Sequence, residues 1–198
     1  MTHARSSPER SPHDVPYDAI VLAGGASRRF GSDKLGVLVE GVPLLDRALL
    51  AVSEAERRVV VGPRRVTAVD VEWVREEPPG SGPANAVAAG LRRCAAPYVV
   101  LLAGDLPYVA AGTVDRLLGA IAADRDFAGA MLVDDGGRTQ QLCSAWHRDA
   151  LEGASARRPD WVDVSMRTLV EPLRVSQIAS SGREARDIDR PEDITSDP

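Results

Sequence analysis

A short stretch near the start of the chain combines paired glycines with positive charge. Residues 22–34 read LAGGASRRFGSDK and follow an apolar run. Paired glycines let backbone N–H groups approach a ligand without obstruction by side chains. Arginine binds phosphate oxygens as a bidentate fork and lysine acts as a compact charge, so Arg28, Arg29 and Lys34 suit a triphosphate. The spacing matches neither of the common phosphate motifs, GxxxxGK and GxGxxG, and composition alone equally allows a surface turn with solvated basic side chains.

One carboxylate follows the most apolar run of the chain. Residues 98–103 read YVVLLA, and Gly104-Asp105-Leu106-Pro107 comes directly after them. A carboxylate at the end of such a strand can hold Mg²⁺, which takes one or two protein carboxylates together with substrate phosphates and water. The alternative is that Asp105 caps the next helix, but Pro107 and the distance to Val114 favour this less. We therefore expect a magnesium site at Asp105.

Two further segments give weaker signals. Gly80-Ser81-Gly82-Pro83 precedes a helix-like segment, and the N-terminus of a helix binds anions, although ordinary capping needs no ligand. Residues 187–193 read DIDRPED, and their alternating carboxylates could supply a second metal ligand. Spacing alone favours the simpler explanation, an acidic helix start that complements the helix dipole.

Apolar, strand-like runs alternate with helix-like segments through most of the chain. We predict strands at 17–23, 58–61, 71–74, 98–103, 127–133 and 141–146, the last suited to antiparallel pairing. We predict helices over 43–55, 82–95 and 114–121, then a short helix near 164–170, a strand near 173–178 and a helix from Pro191. The alternation predicts one doubly wound α/β sheet, mostly parallel, with helices on both faces in a Rossmann-like arrangement. Because ligands of such sheets lie beyond the carboxyl ends of the strands, the loops after Ala23 and Ala103 form the candidate site.

Composition narrows the classes of partner. The chain has 198 residues, 44% hydrophobic and 27% charged, as in a soluble protein of one domain. A net charge of −5 gives no general attraction to nucleic acid or anionic membranes. Residues 1–14 are polar without the apolar core of a signal peptide, so we expect a disordered tail before a domain at 15–198. No apolar stretch approaches the length of a membrane span, and we expect a cytoplasmic protein without a membrane partner.

Cysteine and histidine are too few for a zinc site or a hydrolytic triad. Cys94 and Cys143 lie far apart in apolar segments, which predicts buried free thiols. His147 is the only histidine outside the predicted tail. Any zinc site or Ser-His-Asp triad would depend on that single side chain, so both are disfavoured.

Taken together, these pieces resemble the molybdenum cofactor guanylyltransferases and related small nucleotidyltransferases. In that family Leu-Ala-Gly-Gly is followed by Ser, then Arg-Met-Gly, then Asp-Lys. Here Phe30 replaces Met, and the other positions match at Ser27, Arg29, Gly31, Asp33 and Lys34. Four later segments are similar to the family's Gly-Pro-Leu-Ala-Gly, Asp-x-Pro-Tyr, Gln-Pro-Leu and closing Asn-x-Asn-Thr-Pro-Glu, in that order. They are Gly82-Pro83 with the helix after it, Gly104 to Tyr108, Gln140 to Leu142, and Asp187 to Glu192.

The resemblance implies an activity and a set of site residues. It implies transfer of GMP from GTP to the phosphate of molybdopterin with Mg²⁺, with release of pyrophosphate, and it leaves cofactor-delivery proteins or molybdoenzymes as protein partners. Nucleotide contacts are implied for Leu22, Ala23, Gly24 and Gly25 through main chain, for Arg29 and Lys34 at the phosphates, and for Gly82 and Pro83. Metal contacts are implied for Asp105 and Asp189, and an acceptor side for Gln140, Gln141 and Asp187.

Departures from the family pattern concern the base. Where the family often presents a base-reading Asn, this chain has Gly62-Pro63, and Glu77 stands at the position of a later base-reading Asp. A Glu carboxylate can still accept hydrogen bonds from the N1–H and 2-amino group of guanine, and it is counted among the nucleotide contacts. The Asp-x-Asp ending is shared with cytidylyl relatives, whereas the Gly-Pro-Ala helix start favours the guanylyl branch.

Two alternatives to this function therefore stay open. One is another small-acceptor nucleotidyltransferase, such as molybdopterin cytidylyltransferase or phospholactate guanylyltransferase. The other is a non-catalytic nucleotide-binding subunit, which the joint presence of Arg29, Lys34 and Asp105 disfavours because binding alone would tolerate loss of the metal carboxylate.

Overall fold

A computed structural model describes residues 15–24 and 33–188, and within them nine strands and five α-helices are defined. The strands are β1 (Tyr17–Leu22), β2 (Leu38–Val39), β3 (Val42–Pro43), β4 (Arg58–Val61), β5 (Glu72–Val74), β6 (Tyr98–Ala103), β7 (Gly129–Val133), β8 (Thr139–His147) and β9 (Val175–Ala179). The helices are α1 (Leu44–Ala51), α2 (Pro83–Leu91), α3 (Ala111–Ala123), α4 (Arg148–Ser155) and α5 (Met166–Val170), and a 3-10 helix covers Lys34–Gly36. The predicted tail at 1–14 and the predicted helix from Pro191 lie outside the described residues.

Seven strands form one sheet in the order β5-β4-β1-β6-β8-β7-β9, and β2 pairs with β3 in a separate hairpin. Within the large sheet β8 runs antiparallel to β6 and β7, and the other neighbouring pairs are parallel. Asp134 stabilises the turn between β7 and β8, because its Oδ1 accepts hydrogen bonds from the N–H groups of Gly136 and Arg138. The predicted doubly wound, mostly parallel α/β sheet is confirmed.

Helices cover both faces of the sheet, as continuous apolar strands require. Successive residues of β1 point to opposite faces: Val21 packs in a cluster with α1 and α3, and Ile20 packs in a second cluster with α2, α4 and α5. Cys94 and Cys143 are buried free thiols, and burial raises the pKa of each to about 12. Both thiols are therefore protonated at neutral pH and serve as small core side chains.

Several elements differ from the expected ones: the helix predicted over 43–55 ends at Ala51, and the β2–β3 hairpin was not predicted. The helix predicted over 82–95 ends at Leu91, and the N–H groups of Arg93 and Cys94 then bond three residues back, to Gly90 and Leu91. The N–H groups of Ala95 and Ala96 donate to the buried carboxylate of Asp18. Helix α4 was not predicted, since its eight residues bury only Leu151 and Ala154 and give a short apolar pattern. In the described part of the chain, no helix has the length and apolar character needed to cross a membrane.

Three strand ends meet at one edge of the sheet. Leu22 lies opposite Val61 on one side and Ala103 on the other, so β1, β4 and β6 end side by side. A Cβ atom on Gly62 would lie 2.6 Å from the carbonyl carbon of Ala23, and Gly62 has a φ of +151°. Glycine is therefore needed for the loop after β4 to approach the loop after β1 this closely. We call this the carboxyl edge; it positions the candidate site.

Candidate active site

The predicted metal carboxylate and the predicted phosphate lysine form an ion pair at the carboxyl edge. Asp105 follows β6. Lys34 begins the 3-10 helix directly after residues 22–33, which we call the glycine stretch. Lys34 Nζ donates to Asp105 Oδ2 at 2.8 Å, and the two side chains are 11% and 29% exposed. Lys34 is also the only lysine in the sequence. The edge thus joins two opposite charges that lie 71 residues apart along the chain.

The segment that carries Asp187 is bonded to the backbone of Asp105. The N–H of Ile188 donates to the carbonyl oxygen of Asp105 at 3.3 Å, and Ile188 is fully buried against Val39 and Leu44. Asp187 is exposed beside this contact, and Asp189 lies outside the described residues. Within 15–24 and 33–188, no three His, Cys, Asp or Glu side chains form a metal cluster. Mg²⁺ usually takes one or two protein carboxylates and fills its shell with phosphates and water, so this donor set fits it.

Glu184 fixes the segment that carries Asp187. Its carboxylate accepts hydrogen bonds from Arg116 at 2.7 and 2.9 Å, from Thr113 Oγ1 at 2.7 Å and from the N–H of Ser181 at 2.8 Å. Burial alone would raise the pKa of Glu184, but these donors outweigh it and lower the pKa to about 2. The carboxylate is therefore ionised at neutral pH and holds the segment against α3.

Arg65 holds the aspartate next to Lys34. Its guanidinium binds both carboxylate oxygens of Asp33, with Nε 2.8 Å from Oδ2 and Nη2 3.0 Å from Oδ1. These hydrogen bonds lower the pKa of Asp33 below its usual value. The end of the glycine stretch is thus bonded to the loop that follows β4.

Two adjacent glutamates after β5 have different environments. Glu77 is exposed, whereas Glu76 is 5% exposed. Glu76 Oε1 accepts a hydrogen bond from the N–H of Gly80 at 2.7 Å, and Oε2 is buried without a hydrogen-bond partner among the described residues. A Cβ atom on Gly24 would lie 3.9 Å from Glu76 Oε1. The buried carboxylate that faces the glycine stretch is therefore Glu76.

The sequence profile of the MobA-like NTP transferase domain matches residues 19–176, about four fifths of the chain. The chain belongs to this family. Two curated relatives bear the name probable molybdenum cofactor guanylyltransferase. The Deinococcus radiodurans protein is 37% identical over 112 residues, which cover 56% of this chain and 56% of that protein. The Chloroflexus aggregans protein is 31% identical over 150 residues, which cover 71% and 70%. The chain thus spans between about half and about seven tenths of the length of these relatives.

Solved structures share the fold of this MobA-like domain. Molybdopterin-guanine dinucleotide biosynthesis protein A from Archaeoglobus fulgidus superposes with a TM-score of 0.68 at 20% identity and covers 90% of this chain and 95% of its own. The 2-C-methyl-D-erythritol 4-phosphate cytidylyltransferase from Thermus thermophilus gives 0.65 at 19%, with 90% and 96% covered. At these identities the likeness concerns the fold alone, and the family match makes the chain a MobA-like nucleotidyltransferase.

Backbone groups at the start of the MobA-like glycine stretch are already engaged. The carbonyl of Leu22 accepts from the N–H of Gly104 at 2.9 Å, and the N–H of Ala23 donates to the carbonyl of Val61 at 2.8 Å. Leu22 and Ala23 are buried, whereas Gly24 is exposed. Among the described residues that were predicted to contact the base, Gly24 is therefore the one that lies at the surface. The remaining predictions in this stretch fall on Gly25, Arg28 and Arg29, which lie outside the described residues.

The other predicted nucleotide contacts stand at the start of α2. Gly82 is its N-cap with a φ of +96°, and Pro83 occupies the first turn. Pro83 is exposed and Gly82 half-buried. Asn85 Nδ2 donates to the carbonyl of Glu77 at 3.0 Å and to Ser81 Oγ at 2.7 Å, which fixes the loop between β5 and α2.

The predicted acceptor glutamines lie at the same edge, because β8 runs antiparallel to β6 and begins where β6 ends. Gln140 Nε2 donates to Asp134 Oδ2 at 3.1 Å, and Gln141 Nε2 donates to Thr139 Oγ1 at 3.2 Å. Both glutamines are half-buried; the amide of Gln140 is directed to the β7–β8 turn, and that of Gln141 to the first residue of β8.

Three residues of this edge were not identified from the sequence. Arg65 stands in the stretch GPRR, which matches no phosphate motif, and Glu184 stands in a polar segment without pattern. The only signal for Glu76 was its place two residues after the end of β5, beside Glu77. Their contacts are made across the fold, and only the structure reveals them.

Proposed function

We propose that this nucleotidyltransferase transfers GMP from GTP to the phosphate of molybdenum-molybdopterin and releases pyrophosphate. The observation that carries the proposal is the pairing of Lys34 with Asp105 at the carboxyl edge, beside the glycine stretch of a MobA-like domain. The name of the two relatives, probable molybdenum cofactor guanylyltransferase, supports the choice of base and acceptor.

The proposed reaction is a displacement at the α-phosphorus of GTP. An oxygen of the acceptor phosphate forms the new P–O bond, the bond from the α-phosphorus to the α,β-bridging oxygen breaks, and its electron pair leaves with pyrophosphate. A phosphate nucleophile is already ionised at neutral pH, so no protein general base is required. The task of the protein is then to align two anions and to neutralise charge on the leaving group.

Described residues of the carboxyl edge, together with Arg29 and Asp189 as predicted from the sequence, fit these tasks. Lys34 and Arg29 would hold the β- and γ-phosphates, Lys34 as a compact charge and Arg29 as a fork. Asp105, with Asp187 or Asp189 from the segment bonded to its carbonyl, would hold Mg²⁺. When bound, the cation would neutralise charge on the phosphates. The acceptor would approach from the side of Gln140 and Gln141, at the start of β8.

We assign the base-reading carboxylate to Glu76 and keep Glu77 as the alternative. Guanine presents two adjacent donors, N1–H and the 2-amino group, which match the two oxygens of a carboxylate. Glu76 Oε2 is buried without a partner among the described residues and lies beside Gly24. An unpaired buried carboxylate oxygen is costly, and the edge of guanine would satisfy it.

The function is tested by pyrophosphate release. The purified protein is assayed with each of the four nucleoside triphosphates and Mg²⁺, with and without molybdopterin. We expect release that requires molybdopterin and is fastest with GTP, and mass spectrometry should find the dinucleotide product. Faster release with CTP would instead make the protein a cytidylyltransferase, and no release with any triphosphate would overturn the enzymatic proposal.

The base assignment gives a second prediction. Glu76→Gln should lower kcat/KM for GTP by about tenfold or more, because the amide N–H₂ would face the donors of guanine and one charge-assisted hydrogen bond is worth about 1.5–3 kcal/mol. The loss should be smaller with inosine triphosphate, which lacks the 2-amino group. Glu77→Gln is the matched control and should act like wild type. If Glu77→Gln shows the selective loss and Glu76→Gln does not, the roles are reversed.

A further inference from the structure

We propose that Arg65 is a positioning residue, which fastens the two ends of the glycine stretch together so that Lys34 is in place before the nucleotide binds. The inference rests on the proposed function only in naming the ligand as a nucleoside triphosphate. It adds a residue and a role that neither the sequence motifs nor the proposed chemistry contain.

The Arg65 guanidinium makes three hydrogen bonds to the two ends of the stretch and a fourth within its own loop. At the far end it binds Asp33 through Nε and Nη2, at 2.8 and 3.0 Å. At the near end Nη1 donates to the carbonyl of Ala23 at 3.1 Å, and it also donates to the carbonyl of Pro63 at 2.9 Å. The Arg65 side chain is 19% exposed, so these bonds are partly shielded from solvent. Arg65 thus links residue 23 to residue 33, the neighbour of Lys34.

The loop that carries Arg65 is itself fixed to the core. The N–H of Gly62 donates to the carbonyl of Val74 at 3.0 Å, and Gly62 packs directly on the backbone of Ala23. Further along, the N–H of Ala68 donates to Asp46 Oδ1 at 3.0 Å, and Asp46 is a buried residue of α1. The loop that carries the Arg65 guanidinium is therefore bonded to β5 and α1, and Arg65 can set the position of Asp33.

Lys34 should bind the nucleotide more tightly when Asp33 beside it is already fixed than when this segment must first be ordered. Ordering a loop costs free energy, and a loop that is ordered before binding removes this cost from the binding step. Lysine cannot replace Arg65, because one ammonium cannot bind two carboxylate oxygens and two carbonyls in the same fork geometry. Removal of Arg65 should therefore weaken nucleotide binding through Asp33, even though the proposed role needs no contact between Arg65 and the nucleotide.

A double-mutant cycle tests this route. Binding of GTP and of CTP with Mg²⁺ is measured by calorimetry for wild type, Arg65→Ala, Asp33→Ala and the double variant. We expect each single change to weaken binding of the preferred nucleotide by about tenfold and the double change to add almost nothing. Arg65→Lys should recover little, and Arg64→Ala, its exposed neighbour, should bind within about twofold of wild type.

Two further measurements separate positioning from other roles. At saturating nucleotide, kcat of Arg65→Ala should stay within about fivefold of wild type while KM rises, since the chemistry does not use Arg65. Hydrogen exchange of the nucleotide-free protein should show lost protection at Gly36 and Val37, whose N–H groups bond to the carbonyls of Asp33 and Lys34, and little change in the sheet.

The outcomes are distinct. Additive losses in the cycle, or a large loss in Arg65→Ala with wild-type binding in Asp33→Ala, would mean that Arg65 contacts the ligand directly, and the positioning role would be wrong. A global loss of exchange protection in both Arg65→Ala and Arg65→Lys would also overturn it, in favour of a general structural role. Preferential binding of CTP would count against the proposed base alone, because the cycle is then evaluated with CTP.

Discussion

Asp105→Asn should lower kcat/KM for nucleotidyl transfer by about three orders of magnitude while the fold survives. Asparagine keeps the size of the side chain but removes the charge that holds a divalent cation, and metal charge stabilisation is worth several kcal/mol. The backbone contact of Asp105 with Ile188 does not involve the carboxylate and should persist. Pyrophosphate release over a range of Mg²⁺ concentrations measures the loss, and thermal unfolding checks the fold.

A matched control separates the site from general charge effects. Asp126 has a 77% exposed side chain, pairs with Arg174 and precedes β7 at the opposite end of the sheet. Asp126→Asn removes the same charge and should leave activity close to wild type. Near-normal activity in Asp105→Asn would remove the metal assignment, and the pairing with Lys34 would then have a structural role only.

The strands of the site could be predicted because their signal is local. The run 98–103 was predicted as a strand with the bounds that β6 has, since a central strand buried on both faces is apolar throughout. The rules for parallel sheets place the loops after Ala23 and Ala103 at the same edge, whereas the direct pairing of β6 with β1 is seen only in the structure. The carboxyl edge was therefore foreseeable as the candidate site from two apolar runs and the loop residues directly after each of them.

Contacts between distant side chains could not be predicted in this way. The pairing of Lys34 with Asp105 depends on where the 3-10 helix places Lys34, and the four bonds of Arg65 depend on the path of the loop after β4. Glu76 and Glu77 are identical in type and adjacent, and consecutive side chains of extended backbone point to opposite sides. Packing decides which of the two faces Gly24, and a single sequence does not encode this packing in any local pattern.

Lys34→Ala should act in opposite directions on catalysis and on metal binding. Without the ammonium, the leaving phosphates lose a charge-assisted contact worth about 1.5–3 kcal/mol, so kcat/KM for GTP should fall by about ten- to a hundredfold.

In the nucleotide-free protein, however, Lys34 lies 2.8 Å from Asp105 and competes with a divalent cation for the same carboxylate oxygen. The alanine variant should therefore bind Mn²⁺, a reporter for Mg²⁺, more tightly than wild type when no nucleotide is present, as measured by electron paramagnetic resonance of the free ion.

Lys34→Arg keeps the charge but is bulkier in a site where the Lys34 side chain is only 11% exposed, so it should bind Mn²⁺ weakly like wild type and restore little catalysis. Because Lys34 is the only lysine in the sequence, an amine reagent can report the same exchange on the wild-type protein once the labelled Lys34 peptide is separated from the labelled α-amine: saturating nucleotide with Mg²⁺ should change labelling of Lys34, and Mg²⁺ alone should not. If Lys34→Ala loses activity but binds Mn²⁺ with unchanged affinity, the role of Lys34 at the phosphates would be supported. The ion pair would then not control access of the cation to Asp105.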